Sequence, residues 1–201
     1  MTVLEIERRS LGRSTLTVPR VALGCGNFGG DGSAPELFGQ GLTETQAFEL
    51  MDAAWEVGID HFDTADAYGG GRSERMIGSW MQTRRVRPTI TTKTFNPMAA
   101  GGDHGLAPER IYRQLDSSLD RLDLDYVDVY LAHEFDAAVP LADTFGAFEK
   151  LLQDGRIRAY GVSNFGAERL RAAVSAGAPS ARFVCGVSAR MPPYSCERES
   201  E

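Results

Sequence analysis

No stretch of the chain approaches the length of apolar sequence that a membrane-spanning helix needs. It also lacks a basic excess: the net charge is -7 and the sequence pI about 5.1, so nothing offsets the repulsion of phosphate. Nucleic acid and anionic membrane surfaces are therefore excluded as expected partners. The one basic run, Arg84, Arg85 and Arg87, falls where a helical pattern ends, and cations there complement the helix dipole, so it reads as a solvated cap. Cysteine is scarce. The three cysteines (Cys25, Cys185, Cys196) are far apart and form no CxxC pair, which excludes a disulfide framework and a zinc site; no metal is expected. A reducing cytoplasm is the natural compartment. The opening MTVLEIERRS is too charged and too poor in apolar residues for a signal peptide.

What is present is ordinary globular composition, 42% hydrophobic and 24% charged, in a length that suits a single domain over 1–201. Short apolar strands alternate with amphipathic helical segments. The strands are expected at Val21–Gly24, Ile59–Asp63, Thr89–Thr94, Tyr126–Ala132, Ala159–Ser163 and Phe183–Val187. Helices are expected at Glu44–Val57, Ser73–Gln82, Pro108–Leu122, Ala142–Gln153 and Ala167–Ser175. Thr43 and Gln46 have the spacing of a capping box, and Pro108 suits a first helical turn, where its missing N–H is no loss. Gly58, Gly155 and Gly177 each follow a helical pattern, as left-handed C-terminal caps do.

Strands that alternate with helices pair in parallel, because only a crossover connection returns the chain to the same edge. An open doubly wound sheet would carry GxGxxG in its first strand–helix turn and run straight into a helix. Here Gly24–Gly30 reads GlyCysGlyAsnPheGlyGly and is followed by a long loop, the wrong context for a phosphate cradle and a better one for tight backbone beside a ligand. The fold class expected is α/β, a (β/α)8 TIM-barrel type that is incomplete, with about six of eight βα units. A β-hairpin at about 8–20, with Leu11, Leu16 and Val18 around a Gly12–Arg13 turn, precedes it and could cover the barrel's bottom. Barrel units are expected over about 21–188 and an irregular tail over 189–201.

In such a barrel, side chains at the carboxyl ends of the strands converge on one face. Asp63 ends the second strand, with Tyr68 in the loop beyond it; Lys93 lies near the end of the third strand, His133 follows the fourth, and Ser163–Asn164 follow the fifth. Singly, most have bland readings: Asp63 a loop cap, Tyr68 a turn aromatic, His133 a satisfied core histidine. Lys93 resists one, since an ammonium near a barrel interior needs a partner. Together they make sense as carbonyl chemistry. Hydride transfer to a carbonyl leaves an alkoxide that needs a proton, and a phenol supplies it when an adjacent cation lowers its pKa. Lys93 would be that cation, Asp63 would hold it, and His133 would orient the carbonyl oxygen. Cys25, beside these positions, has no neighbour in sequence to activate it and reads as a small hydrophobe. Trp55, Phe62, Phe145 and Phe148 read as packing.

These motifs resemble those of the aldo-keto reductase superfamily. GIDHFDTADAYGGGRSE (Gly58–Glu74) is similar to the family's signature; TTKT (Thr91–Thr94) and LAHEFD (Leu131–Asp136) look like its lysine and histidine motifs, in order. GRIRAYGVSNF (Gly155–Phe165) resembles the strand-five motif whose Ser-Asn pair contacts the nicotinamide carboxamide, and the opening hairpin and first strand are similar too. The resemblance implies catalytic roles for Tyr68 as general acid, Lys93 and Asp63 as its tuning pair and His133 as the carbonyl-orienting group. It also implies a reduced nicotinamide cofactor, usually NADPH with NADH possible, whose ring Ser163 and Asn164 would fix, and a small carbonyl substrate. Oligomeric state is open.

After Phe165 the likeness weakens. Met191 stands where the family has a glutamine, before Tyr194–Ser195, and the remaining strands and the grip on the adenosine phosphate would lie beyond Glu201. The expectation is a C-terminally truncated member, unstable or inactive alone. The alternatives to a reductase are thus an inactive fragment or a cofactor-binding regulatory relative.

Overall fold

The computed structural model describes residues 6–12, 14–175 and 183–185. The cap assigned to Gly177, the strand end at Val187, Met191, Tyr194–Ser195 and the tail 189–201 lie outside the described residues.

A two-stranded antiparallel hairpin, β1 (Arg8–Ser10) and β2 (Thr17–Pro19), comes first. Then follow β3 (Leu23–Gly24), α1 (Glu44–Glu56), β4 (His61–Asp63), α2 (Arg72–Arg84), β5 (Thr89–Thr94), α3 (Pro108–Leu122), β6 (Val127–Ala132), α4 (Leu141–Gln153), β7 (Ile157–Val162), α5 (Ala167–Ser175) and β8 (Phe183–Cys185). The strands β3 to β8 form one six-stranded parallel sheet in sequence order. Monotonic order has no reversal point, so it is the barrel progression and excludes the doubly wound sheet.

The helices begin where local chemistry starts them. Thr43 caps α1: its hydroxyl accepts from Gln46 N–H, and its own N–H donates to Gln46 Oε1 at 3.0 Å. Pro108 opens α3. Gly58 (φ 85°) and Gly155 (φ 74°) take the left-handed turn after α1 and α4 that a side chain would oppose. β3 is shorter than its apolar run because its neighbour β4 offers partners only to Leu23 and Gly24; Val21 is left 52% exposed.

Alternation divides each strand between two environments. Phe62, Ile90, Tyr130, Tyr160 and Val162 join Met51, Ile77, Trp80, Ile111, Leu115, Phe145 and Phe148 in the main core beneath the helices. Val129, Leu131 and Ala159 form a second cluster, and Leu11 and Leu16 of the hairpin pack on it. The hairpin thus shields apolar interior, as its alternation suggested. Trp55 is a correction: it is 36% exposed and meets the core residue Trp80 edge-on. The basic run is a partial one. Arg84 pairs with Asp52 at 2.7 Å and Arg85 takes the left-handed cap of α2, but Arg87 turns inward to pair with buried Asp128 at 2.8 Å. No helix among the described residues is long and apolar enough to cross a membrane.

Candidate active site

The strand register brings the polar side chains to one end of the sheet. Gly24 is level with Asp63 and Asp63 with Thr91, while Lys93 is level with Leu131 and Leu131 with Gly161. Lys93 is 1% exposed. Its ammonium is bonded to Asp63 Oδ1 and donates to the Thr64 carbonyl at 2.8 Å and to the Tyr68 hydroxyl at 3.4 Å. The Tyr68 hydroxyl lies 3.4 Å from His133 Nε2, and the two rings meet edge-on. Burial alone would lower the Lys93 pKa, but the charge of Asp63 and the nearby Tyr68 oxygen outweigh it and hold its pKa above the ordinary lysine value. Lys93 is therefore a permanent cation fixed beside a phenol.

These groups open onto a cleft of about 1160 Å3 lined by Gly24, Gly26, Asp31, Leu37, Tyr68, Asn96, His133 and Asn164 among others. Two loops contribute: Asp31, Ser33 and Leu37 come from the segment after β3, Asn96 from the glycine-rich loop after β5. Ser163 is buried, and its hydroxyl has no hydrogen-bond partner among the described residues. Asn164, at φ 57°, donates its amide nitrogen to the His133 carbonyl and to Glu134 Oε1, each at 2.9 Å, leaving the amide oxygen as an acceptor on the cleft wall. Asn164 lines the cleft and Ser163 lies just beneath it; an amide oxygen and a hydroxyl are the acceptor and the donor that a ligand carboxamide needs. Cys25 is wholly buried, and burial together with the Asp63 charge pushes its thiol well above the ordinary range, so it packs rather than reacts.

Backbone contact fixes the Tyr68 loop. A Cβ on Gly30 would come within 2.6 Å of Gly69 Cα, and one on Gly41 within 2.2 Å of the Asn27 and Gly30 carbonyls. The loop after β3 and the loop carrying Tyr68 are pressed together main chain to main chain.

Sequence reasoning missed two features. Asn96 donates its amide to His133 Nδ1 at 3.2 Å and lies 3.4 Å from Ser33 Oγ; nothing in a loop asparagine signals this. Behind the sheet, Glu74 is fully buried, accepting from Thr92 at 2.6 Å and from Arg121 at 2.7 Å. Asp66, two residues before Tyr68, is also fully buried, and neither of its carboxyl oxygens has a partner among the described residues. Burial, reinforced by the charge of Glu74, pushes its pKa up to about 7. Helical spacing gives no warning that Arg121 is drawn inward by Glu74, or Arg110 by the Thr94 hydroxyl and the Asn96 and Gly105 carbonyls.

An acid, an ammonium, a phenol and an imidazole gather at the carboxyl ends of sequential parallel strands on a β/α-barrel framework. The family model for the Aldo/keto reductase family matches residues 20–199, and the chain belongs to that family. It is 35% identical over 172 residues to the uncharacterized oxidoreductase YrpG of Bacillus subtilis (strain 168), covering 80% of this chain and 50% of the relative. Aldo-keto reductase YhdN of the same organism is 32% identical over 98% of this chain and 56% of its own length. Among solved structures, the holo form of aldo-keto reductase AKR11C1 from Bacillus halodurans superposes with a TM-score of 0.74 at 31% identity, covering 87% of this chain and 55% of that one. The chain spans about half the length of the curated relatives it matches.

Proposed function

We propose that the protein reduces an aldehyde or ketone to the alcohol with a reduced nicotinamide cofactor, NADPH first and NADH second, using Tyr68 as the proton donor. The observation that supports this best is the contact of the buried Lys93 ammonium with the Tyr68 hydroxyl, itself beside His133. When bound, the cofactor would supply hydride to the carbonyl carbon. His133 and Tyr68 hold the carbonyl oxygen between them, and as charge develops on it the Tyr68 O–H passes its proton across. Lys93 stabilises the phenolate left behind, because its charge is permanent and lies in a site with little water. Asp63 keeps the ammonium in place and balances its burial. Ser163 and Asn164 would fix the carboxamide of the nicotinamide, and their free hydroxyl and amide oxygen suit it. The substrate is a small carbonyl compound. A reducing compartment, the cytoplasm, suits the sparse cysteines.

A second reading is a cofactor-binding regulatory subunit, favoured by 32% identity, over 85% of this chain, to a probable voltage-gated potassium channel subunit beta of Oryza sativa subsp. japonica. Titration of the 201-residue chain with NADPH, read by protein fluorescence and thermal unfolding, tests both. Micromolar binding with a raised Tm and turnover of a carbonyl supports the reductase. Binding without turnover of any carbonyl favours the regulatory reading, which a partner recovered by pull-down would support. No binding overturns both and leaves the motifs in an inactive chain.

A further inference from the structure

We infer that Asn96 is a positioning residue that sets the tautomer of His133 and thereby keeps the Tyr68 proton free for the substrate. The inference rests on the reductase reading for its consequence, but the hydrogen-bond directions follow from geometry alone. Asn96 Nδ2 lies 3.2 Å from His133 Nδ1. An amide nitrogen can only donate, so Nδ1 must accept, and in the neutral imidazole the ring proton then sits on Nε2. Nε2 is the nitrogen 3.4 Å from the Tyr68 hydroxyl, and before a carbonyl enters it therefore donates to that oxygen. The Lys93 ammonium, 3.4 Å from the same oxygen, can only donate as well. A phenol oxygen with a donor from each of two neighbours has its acceptor capacity filled, and its own proton has neither neighbour to go to. It is directed to a third acceptor in the cleft that Tyr68 lines, where a carbonyl oxygen would sit. In the opposite tautomer, Nε2 would be a bare acceptor and would sequester the proton the reaction needs.

The fold holds Asn96 for this task. Arg110, 4% exposed, donates to the Asn96 carbonyl at 2.8 Å, to Thr94 Oγ1 at 3.0 Å and to the Gly105 carbonyl at 3.1 Å, tying both ends of the loop after β5 to α3. Ser33 Oγ, 3.4 Å from the same amide nitrogen, steadies it from the loop after β3. The buried backbone N–H of His133 donates to the Thr94 carbonyl at 3.0 Å, so the ring and the amide that reads it are anchored to the same strand.

The test is a long-range proton–nitrogen correlation spectrum of the full chain with its histidines labelled with nitrogen-15, read on His133 with His61 as the internal reference. The expected result is protonation at Nε2 with Nδ1 bare. Asn96→Ala should convert this to a mixture of tautomers and leave the His61 signals in place. Asn96→Asp, nearly the same shape, can only accept there and should move a proton onto Nδ1. In a turnover assay Asn96→Ala should lower kcat about tenfold with KM nearly unchanged, the effect of one misdirected hydrogen bond in the transition state. A proton on Nδ1 in the unaltered chain overturns the inference, and so does an unchanged His133 pattern in both variants. If the spectra come out as expected but no carbonyl is reduced, the reductase reading falls while the hydrogen-bond directions stand.

Discussion

The two ends of the sheet are built from the same strands and do opposite things. At the amino end, Val129 and Ala159 meet Leu11 and Leu16 of the hairpin, and the Arg8–Asp60 ion pair ties the hairpin to the rim beside this apolar contact. At the carboxyl end of the same interior, Lys93, two residues beyond the level of Thr91 and Val129, is held in charged contact with Asp63, and the cleft stays open. One end contributes stability through burial; the other spends buried charge on chemistry, at a cost the rest of the fold must offset. Changes at the two ends should therefore separate cleanly into stability effects and activity effects.

The largest separation is expected from Tyr68→Phe. It removes one hydroxyl, so carbonyl reduction should fall about 10²–10⁴-fold while cofactor affinity and Tm stay near their starting values. Equal losses in binding and Tm would show that the open end is structural after all. Next comes Asp66, which lies behind the reactive end. Its folded pKa of about 7 is above the ordinary carboxylate value, so the folded state binds the extra proton and stability should decline as pH rises from about 4 to 7, by on the order of 1 kcal/mol per pH unit. Asp66→Asn should flatten that slope, seen as Tm values at pH 5 and pH 8 drawing together; an unchanged slope would remove Asp66 as its source. At the closed end, Val129→Ala should cost about 1–2 kcal/mol in denaturant midpoint and leave cofactor affinity untouched. The smallest effect belongs to the surface pair Arg84–Asp52, remote from both ends. Hydrogen bonds from Arg84, then Trp80, hold the Asp52 pKa down to about 2, so its contribution is present above about pH 4 and fades as pH falls toward 2. Asp52→Asn should cost under about 1 kcal/mol at neutral pH, measured by urea unfolding.

Much of the fold was legible because local signals agreed with one another. Pro108 and the apolar spacing after it gave α3 the bounds it has, and the run of β-branched residues in Thr89–Thr94 became β5 as read. Misreadings arose where a side chain's fate depends on a distant neighbour. Trp55 has the spacing of a core residue, yet it lies on a rim of α1, exposed on one side and edge-on to Trp80 on the other. Arg87 looked like a cap until Asp128, on a strand far along the sequence, drew it in. In the candidate site, the residue types at strand ends were readable because a parallel barrel sends those positions to one face. The role of Asn96 was not, since a hydrogen bond across loops leaves no periodicity. Asp66 and Glu74 were hidden for the same reason: burial of an acid depends on which helix lies above it.

The main-chain contact of Gly30 with Gly69, and the crowding at Gly41, set how this protein tolerates inherited change. Alanine is reached from glycine by one base change and adds a single methyl group, ordinarily among the mildest of substitutions. At Gly41 that methyl would land on two carbonyl oxygens and at Gly30 on the neighbouring loop, prising apart the segments that aim the phenol. A survey that replaces residues with alanine and skips glycine would pass over the positions where the smallest addition does the most harm.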